Sequence, residues 1–161
     1  MFKKIAVIGI GNTLRRDDGI GIAVFESLLK FYKREGIDYL NFGTASFDLI
    51  HRMQDYTTVV LIDGIRADLA AGELKIFELK NIEHDSKALF ASTHELDLKS
   101  MFELSKSFGL KTKIYVAGIQ VEDISYAEGL SDALLNIKED AIKKISVFID
   151  KVLQQKNVFL I

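Results

Sequence analysis

Three side chains of this sequence, Asp18, Asp63 and His94, are of types that bind divalent metal ions. Each follows an apolar run typical of a β-strand, and the carboxyl ends of parallel strands meet at one edge of a sheet, where ligands bind. Two carboxylates and an imidazole suit Ni, Zn, Fe or Mn better than Ca, which prefers more oxygen ligands. Three protein ligands would also leave coordination positions open for water or a substrate atom. The sequence therefore suggests a metal site at this edge.

Each of these residues also has a purely structural interpretation. An Asp at a helix start is usually a cap, and we assign that role to Asp17, which leaves Asp18 to point elsewhere. Asp63 could begin a turn with Gly64, and a single His near a helix start is commonly structural. The coincidence of Asp18, Asp63 and His94 at one solvated edge favours a site, where substitutions should leave folding near normal.

The elements that would position these residues alternate between strand and helix. This order predicts an α/β fold: one three-layer domain over residues 1–161, with a mostly parallel, twisted sheet of about five strands and helices on both faces. Residues 72–79 alternate in polarity and are assigned to an edge strand that could be antiparallel. Predicted strands cover residues 5–10, 39–42, 57–62 and 113–120, and predicted helices cover 17–35, 47–54, 92–108 and 131–155.

Two of these boundaries concern the candidate site directly. The third strand is predicted to stop at Asp63-Gly64, since its apolar run ends there. Ser92 and Glu95 match a capping box, which predicts that a helix begins there with His94 inside its first turn.

Composition excludes several classes of function. The 161 residues are 48% hydrophobic with a net charge of -2, which gives no basic field for nucleic acid. The sequence has no cysteine, so a metal would be held by oxygen and nitrogen ligands. No apolar run approaches the roughly 20 residues that a membrane span requires. We expect a cytoplasmic protein that binds neither membrane nor nucleic acid.

Gly9-Ile10-Gly11 after the first strand raises a rival interpretation, a nucleotide-binding domain. The dinucleotide fingerprint requires a third glycine at position 14, where this chain has Leu14. Asp17 and Asp18 would also place two negative charges where a phosphate should bind. We rank this interpretation low and assign the glycines to a tight turn that brings Asn12 over the sheet edge.

A longer motif points to a known family. The stretch Gly9-Ile10-Gly11-Asn12-Thr13-Leu14-Arg15-Arg16-Asp17-Asp18-Gly19-Ile20-Gly21 resembles the opening motif of the [NiFe]-hydrogenase maturation proteases. The resemblance continues in order through Gly43-Thr44, Ile62-Asp63, Ser92-Thr93-His94-Glu95-Leu96 and Val116-Ala117-Gly118-Ile119. It implies a single α/β domain with a sheet between helices, and it places the family's metal ligands on Asp18, Asp63 and His94.

The implied function is that of an endopeptidase that removes the C-terminal extension of a [NiFe]-hydrogenase large-subunit precursor after nickel insertion. The nickel would be presented by the substrate, and Zn or another divalent cation could occupy the site in the isolated protein. Asp18, Asp63 and His94 would then be both metal ligands and catalytic residues, with either the metal or a carboxylate activating water. We expect a monomer. The alternative is a noncatalytic nickel chaperone of the same fold that binds the precursor without cleaving it.

Four further residues, Asn12, Asn41, Thr44 and Glu122, are assigned to substrate binding. Family members commonly have Asp-Gly-Gly-Thr after the second strand, whereas this chain has Asn41-Phe42-Gly43-Thr44 and so lacks a carboxylate there. The family also often has a Pro shortly after the strand that ends in Gly118-Ile119, where this chain has Val121-Glu122-Asp123.

Overall fold

The computed structural model describes residues 4–44, 47–82, 91–92 and 97–157, with the backbone alone for 91–92 and 156–157. Its sheet has the strand order β2-β1-β3-β6-β4, and a short β5 pairs with β3. The strands are β1 (Ile5–Gly9), β2 (Ile37–Asn41), β3 (Thr58–Arg66), β4 (Leu74–Glu78), β5 (Ala91–Ser92) and β6 (Lys113–Gln120). The helices are α1 (Ile20–Phe31), α2 (Phe47–Met53), α3 (Leu98–Ser107) and α4 (Asp132–Asn157).

Strands β1, β2, β3 and β6 are parallel, and β4 pairs antiparallel with β6 at the edge. Parallel strands covered on both faces are rich in apolar residues along their whole length, and all five residues of β1 are buried. The predicted fold class is confirmed, including the antiparallel edge strand.

Each face of the sheet carries its own apolar core. One face packs against α2 and α3 through residues that include Leu49, Met53 and Met101. The other face packs against α1 and α4 through residues that include Phe25, Leu28 and Ile145. The helices therefore form the two outer layers, and the carboxyl ends of the parallel strands lie along one edge of the sheet between these layers.

Two predicted boundaries near the site are wrong. Strand β3 does not stop at Asp63-Gly64 but continues to Arg66, because β6 pairs with it as far as Ile65. Helix α3 begins at Leu98, where the Asp97 side chain accepts a hydrogen bond of 2.7 Å from the Ser100 N–H. Ser92 belongs instead to β5, which pairs with the end of β3. Glu95 and His94, the other parts of the predicted helix start, lie outside the described residues.

Within the described residues, none of the helices combines the length and the apolar character that crossing a bilayer requires.

An ion pair joins the segment after α1 to the last turns of α4. The Arg34 guanidinium donates to both carboxylate oxygens of Asp150, at 2.7 and 3.1 Å, and to the Ser146 hydroxyl oxygen at 3.0 Å. The hydrogen bond from Arg34 lowers the pKa of Asp150 below its ordinary value. Because α1 starts at the carboxyl edge of the sheet, this pair lies at the far end of the molecule from the candidate site.

We expect Asp150→Asn to lower the melting temperature at neutral pH and to make no difference in strong acid. A carboxyl whose folded pKa is depressed contributes stability above its unfolded pKa of about 3.9, and that stability is lost as pH falls through the folded pKa. The pair is partly exposed, so the effect at neutral pH should not exceed about 1 kcal/mol. Thermal melts of both proteins between pH 7 and pH 2 measure it, and a gap that persists at pH 2 would contradict the assignment.

Candidate functional site

Asp63 is the candidate ligand that lies within a strand of the sheet. It lies inside β3, next to Gly118 of β6, one residue past the position where β1 stops pairing with β3. Its backbone is therefore fixed by the ladder with β6, while the end of β1 leaves that side of the strand to be covered by other chain segments. The residue is 1% exposed.

Asp18 lies in a 3-10 turn, Arg16–Gly19, which connects the loop after β1 to α1. The turn packs against the loop, and the Asn12 N–H donates a hydrogen bond to the Asp18 carbonyl oxygen at 3.2 Å. A Cβ at Gly11 would lie 2.5 Å from the same oxygen, so this approach requires glycine. The glycines of the opening motif thus permit close packing of the turn that carries Asp18.

The backbone on both sides of Asp18 packs against Asp63 and its neighbour. A Cβ built on Gly21 would be 3.1 Å from the Asp63 Cα, and one built on Gly64 would be 3.4 Å from the Asp17 carbonyl oxygen. The start of α1 therefore crosses the end of β3 at backbone contact distance. The structure brings the Asp18 turn and Asp63 together at the edge predicted from sequence.

Asp18 and Asp63 are less accessible than we expected. Both are 1% exposed, so the expectation of solvated positions at this edge is wrong. The reason is that the loop after β1 and the start of α1 cover the end of β3. Burial of a carboxylate is costly unless a hydrogen-bond partner or a cation offsets the charge.

The third predicted ligand, His94, lies outside the described residues. Within residues 4–44, 47–82 and 97–157, no three His, Cys, Asp or Glu side chains form a group that could hold a metal ion. The ligand set Asp18, Asp63 and His94 stays a prediction.

We had expected Asp17 to cap α1, and this expectation is wrong. The N-cap of α1 is Gly19, and no side chain bonds there. The buried Asp17 carboxylate instead accepts hydrogen bonds from the N–H groups of Glu122 at 3.0 Å, Asp123 at 2.8 Å and Ser131 at 2.7 Å, and from the Ser131 hydroxyl at 2.9 Å. Sequence reasoning missed this contact, because its partners lie 105 to 114 residues away and no local pattern marks them.

Further contacts hold the segment after β6, residues 121–131, against the Asp18 turn. The Arg16 N–H donates to the Ala127 carbonyl oxygen at 2.9 Å, and the Arg16 side chain lies 3.3 Å from the Asp123 carboxylate. Hydrogen bonds from Ser125 lower the pKa of Asp123, and the Arg16 charge adds to the effect. Arg16 has a φ of 43°, a left-handed conformation that is unfavourable for a side chain of this size and is stabilised here by these contacts.

The four predicted substrate-binding residues lie in segments at the same edge. The side-chain oxygens of Asn12 and Asn41 accept hydrogen bonds from the N–H groups two residues on, at 3.0 and 2.9 Å, so both residues shape turns. Thr44 and Glu122 are exposed. Their contact with substrate stays a prediction. A groove of about 710 Å³ lies at the opposite edge, around Lys4, Thr57 and Thr112, away from the aspartates.

Comparisons with known proteins give the family. A family model described as hydrogenase maturation protease matches residues 22–147. The hydrogenase 2 maturation protease of Escherichia coli is 26% identical over an alignment 148 residues long that covers 88% of each chain. Among solved structures, the hydrogenase maturating endopeptidase HybD from E. coli matches with a TM-score of 0.77 at 22% identity and covers 92% of this chain and 93% of that one.

A [NiFe] hydrogenase maturation protease, HybD from Thermococcus kodakarensis, is 26% identical with a TM-score of 0.69, covering 90% of this chain and 98% of that one. The residues that the family model matches include Asp63 and begin four positions after Asp18. By the family match and by its fold, this chain belongs to the hydrogenase maturation proteases and is a hydrolase of the peptidase class.

Proposed function

We propose that this peptidase removes the C-terminal extension of a [NiFe]-hydrogenase large-subunit precursor after nickel insertion, and that Asp18, Asp63 and His94 recognise the nickel carried by the precursor. The observation that carries the proposal is the packing of the Asp18 turn on the end of β3 beside Asp63, in a chain of this family. We further propose that the protein works as a cytoplasmic monomer.

Chain connectivity supports the inclusion of His94. Ser92 pairs with Ile65 of β3, two residues past Asp63. His94 follows Ser92 by two positions in the sequence, and two residues of chain span at most about 7 Å. An imidazole can therefore reach the same sheet edge as the two carboxylates. Carboxylate and imidazole donors suit nickel and zinc alike, so zinc or another divalent cation could bind in the absence of substrate.

The roles of the side chains follow from their chemistry. Asp18, Asp63 and His94 would bind the precursor's metal and so orient the adjacent peptide bond, which turns recognition into proximity. A carboxylate of the pair can accept a proton from the attacking water, as in aspartic-type peptidases, and later donate it to the leaving amine. The metal would polarise the carbonyl or lower the pKa of water. A nickel-free precursor has no metal ion for these side chains to bind, so its peptide bond would not be oriented for cleavage.

We expect the purified protein to cleave a nickel-loaded large-subunit precursor and to cleave the nickel-free form at least ~100-fold more slowly, since a precursor that is not oriented loses the benefit of proximity. Gel separation of full-length and shortened precursor measures the rate, and mass spectrometry locates the cut. Equal cleavage of both forms would contradict nickel recognition. Binding of the loaded form without cleavage would support the chaperone alternative, which shares the fold and the site.

A further inference from the structure

Asp17 is a buried carboxylate that the proposed chemistry does not use. Its oxygens accept four hydrogen bonds, all from the segment of residues 121–131. We propose that Asp17 is a positioning residue: it holds the Asp18 turn against this segment and so keeps Asp18 in place for the reaction. The inference rests on the proposed function, in which Asp18 is a ligand.

The main chain shows how the position of Asp17 determines that of Asp18. The Asp17 N–H donates to the Asp123 carbonyl oxygen at 3.0 Å, and the Asp17 carbonyl oxygen faces Gly64 of β3. The turn is therefore held between the end of β3 and the segment after β6. Because the Cα atoms of consecutive residues are about 3.8 Å apart, a shift of Asp17 must move Asp18 as well.

The partners of Asp17 explain why a carboxylate is required there. All four are donors, and an ionised Asp side chain accepts at both oxygens without donating. An Asn at this position would direct its NH₂ group at one of these N–H groups and lose that bond. Ser131 also directly precedes α4, so the negative charge lies at the positive end of that helix dipole.

Three variants test this inference: Asp17→Asn, Ser131→Ala and Asp150→Asn. Ser131→Ala removes the hydroxyl donor but keeps the Ser131 N–H bond to Asp17. Asp150→Asn is the matched control, since it removes a carboxylate that tethers α4 at the far end of the molecule. Steady-state cleavage of the loaded precursor gives kcat and KM, and hydrogen exchange monitors the N–H groups of Glu122, Asp123 and Ser131.

We expect Asp17→Asn to lower kcat ~100-fold, the usual effect of misplacing a reacting group by about 1 Å, and to raise KM as well, because Asp18 is also assigned to binding the precursor's metal. The three amides should exchange faster, Ser131→Ala should show a smaller loss of kcat, and Asp150→Asn should match the wild type. A kcat for Asp17→Asn equal to that of the control would overturn the inference, as would a change confined to KM. If Asp17→Asn fails to fold, the same comparison applies to Ser131→Ala.

A wild-type protein that leaves the loaded precursor intact would overturn the proposed function itself, before any variant is compared. The role of Asp17 is then decided by titrating the isolated proteins with Ni²⁺. Weaker binding by Asp17→Asn than by Asp150→Asn supports the positioning of Asp18, and equal binding overturns it.

Discussion

Replacing Asp63 with Asn should abolish processing of the precursor while the protein still folds. Asn keeps the shape of the side chain but removes the negative charge that we assign to metal binding and proton transfer. Loss of one member of a catalytic unit typically costs several orders of magnitude, so we expect a rate at least ~1,000-fold lower. The ladder that holds this residue is made by the backbone of β3 and β6 and does not depend on the carboxylate.

Single-turnover cleavage of the nickel-loaded precursor and a thermal melt together check this prediction. Asp68→Asn provides the matched control, because Asp68 is an exposed carboxylate two residues beyond the end of β3. The control should process at the wild-type rate. If Asp63→Asn also retains processing, Asp63 has no place in the catalytic site.

Gly21→Ala should destabilise the protein severely, although the same change in most helices is stabilising. A Cβ at this position would lie 2.1 Å from the Ile10 carbonyl oxygen and 2.6 Å from that of Ile62, both backbone atoms that no rotamer change can move. Helix α1 would have to separate from β1 and β3, at a cost of about 3 kcal/mol. For a chain of this length that corresponds to a fall in melting temperature of roughly 10 °C.

The sign of the effect makes this test specific. Helix propensity alone favours Ala over Gly by about 1 kcal/mol, so a protein without the close contact would gain stability from Gly21→Ala. Glu26→Ala, at an exposed position of the same helix, should change stability by less than about 0.5 kcal/mol. A stable Gly21→Ala variant would show that α1 does not lie at backbone contact distance from the site.

The fold could be predicted because its signals are local. The buried strands β1, β3 and β6 are continuous apolar runs, and the alternating polarity of β4 marks it as an edge strand. Where a predicted boundary was wrong, the boundary was set by pairing with a segment distant in the sequence. Strand β3 extends past Asp63 because β6 is long enough to pair with it. Ser92 matches a helix cap by pattern, yet its backbone pairs with β3, and the cap forms at Asp97 instead.

In the candidate site, too, features with local sequence signals could be predicted and features that depend on distant partners could not. Asp18 and Asp63 could be found because each follows or ends an apolar run, and the strand order brings them to one edge. The role of Asp17 could not be predicted from the sequence. The rules that assign an acidic residue to a helix cap use only neighbouring positions, whereas the partners of Asp17 belong to a segment more than 100 positions away. Burial of the acids likewise depends on how α1 crosses β3.

The bonds between Asp17 and Ser131 join residues that are 114 positions apart in the chain. During synthesis, a nascent chain that has emerged only as far as β6 already contains Asp18 and Asp63 but has nothing to bond to Asp17. Proteolytic competence should therefore arise late in translation, after the ribosome has released the start of α4, and partly made chains should be unable to cut a precursor.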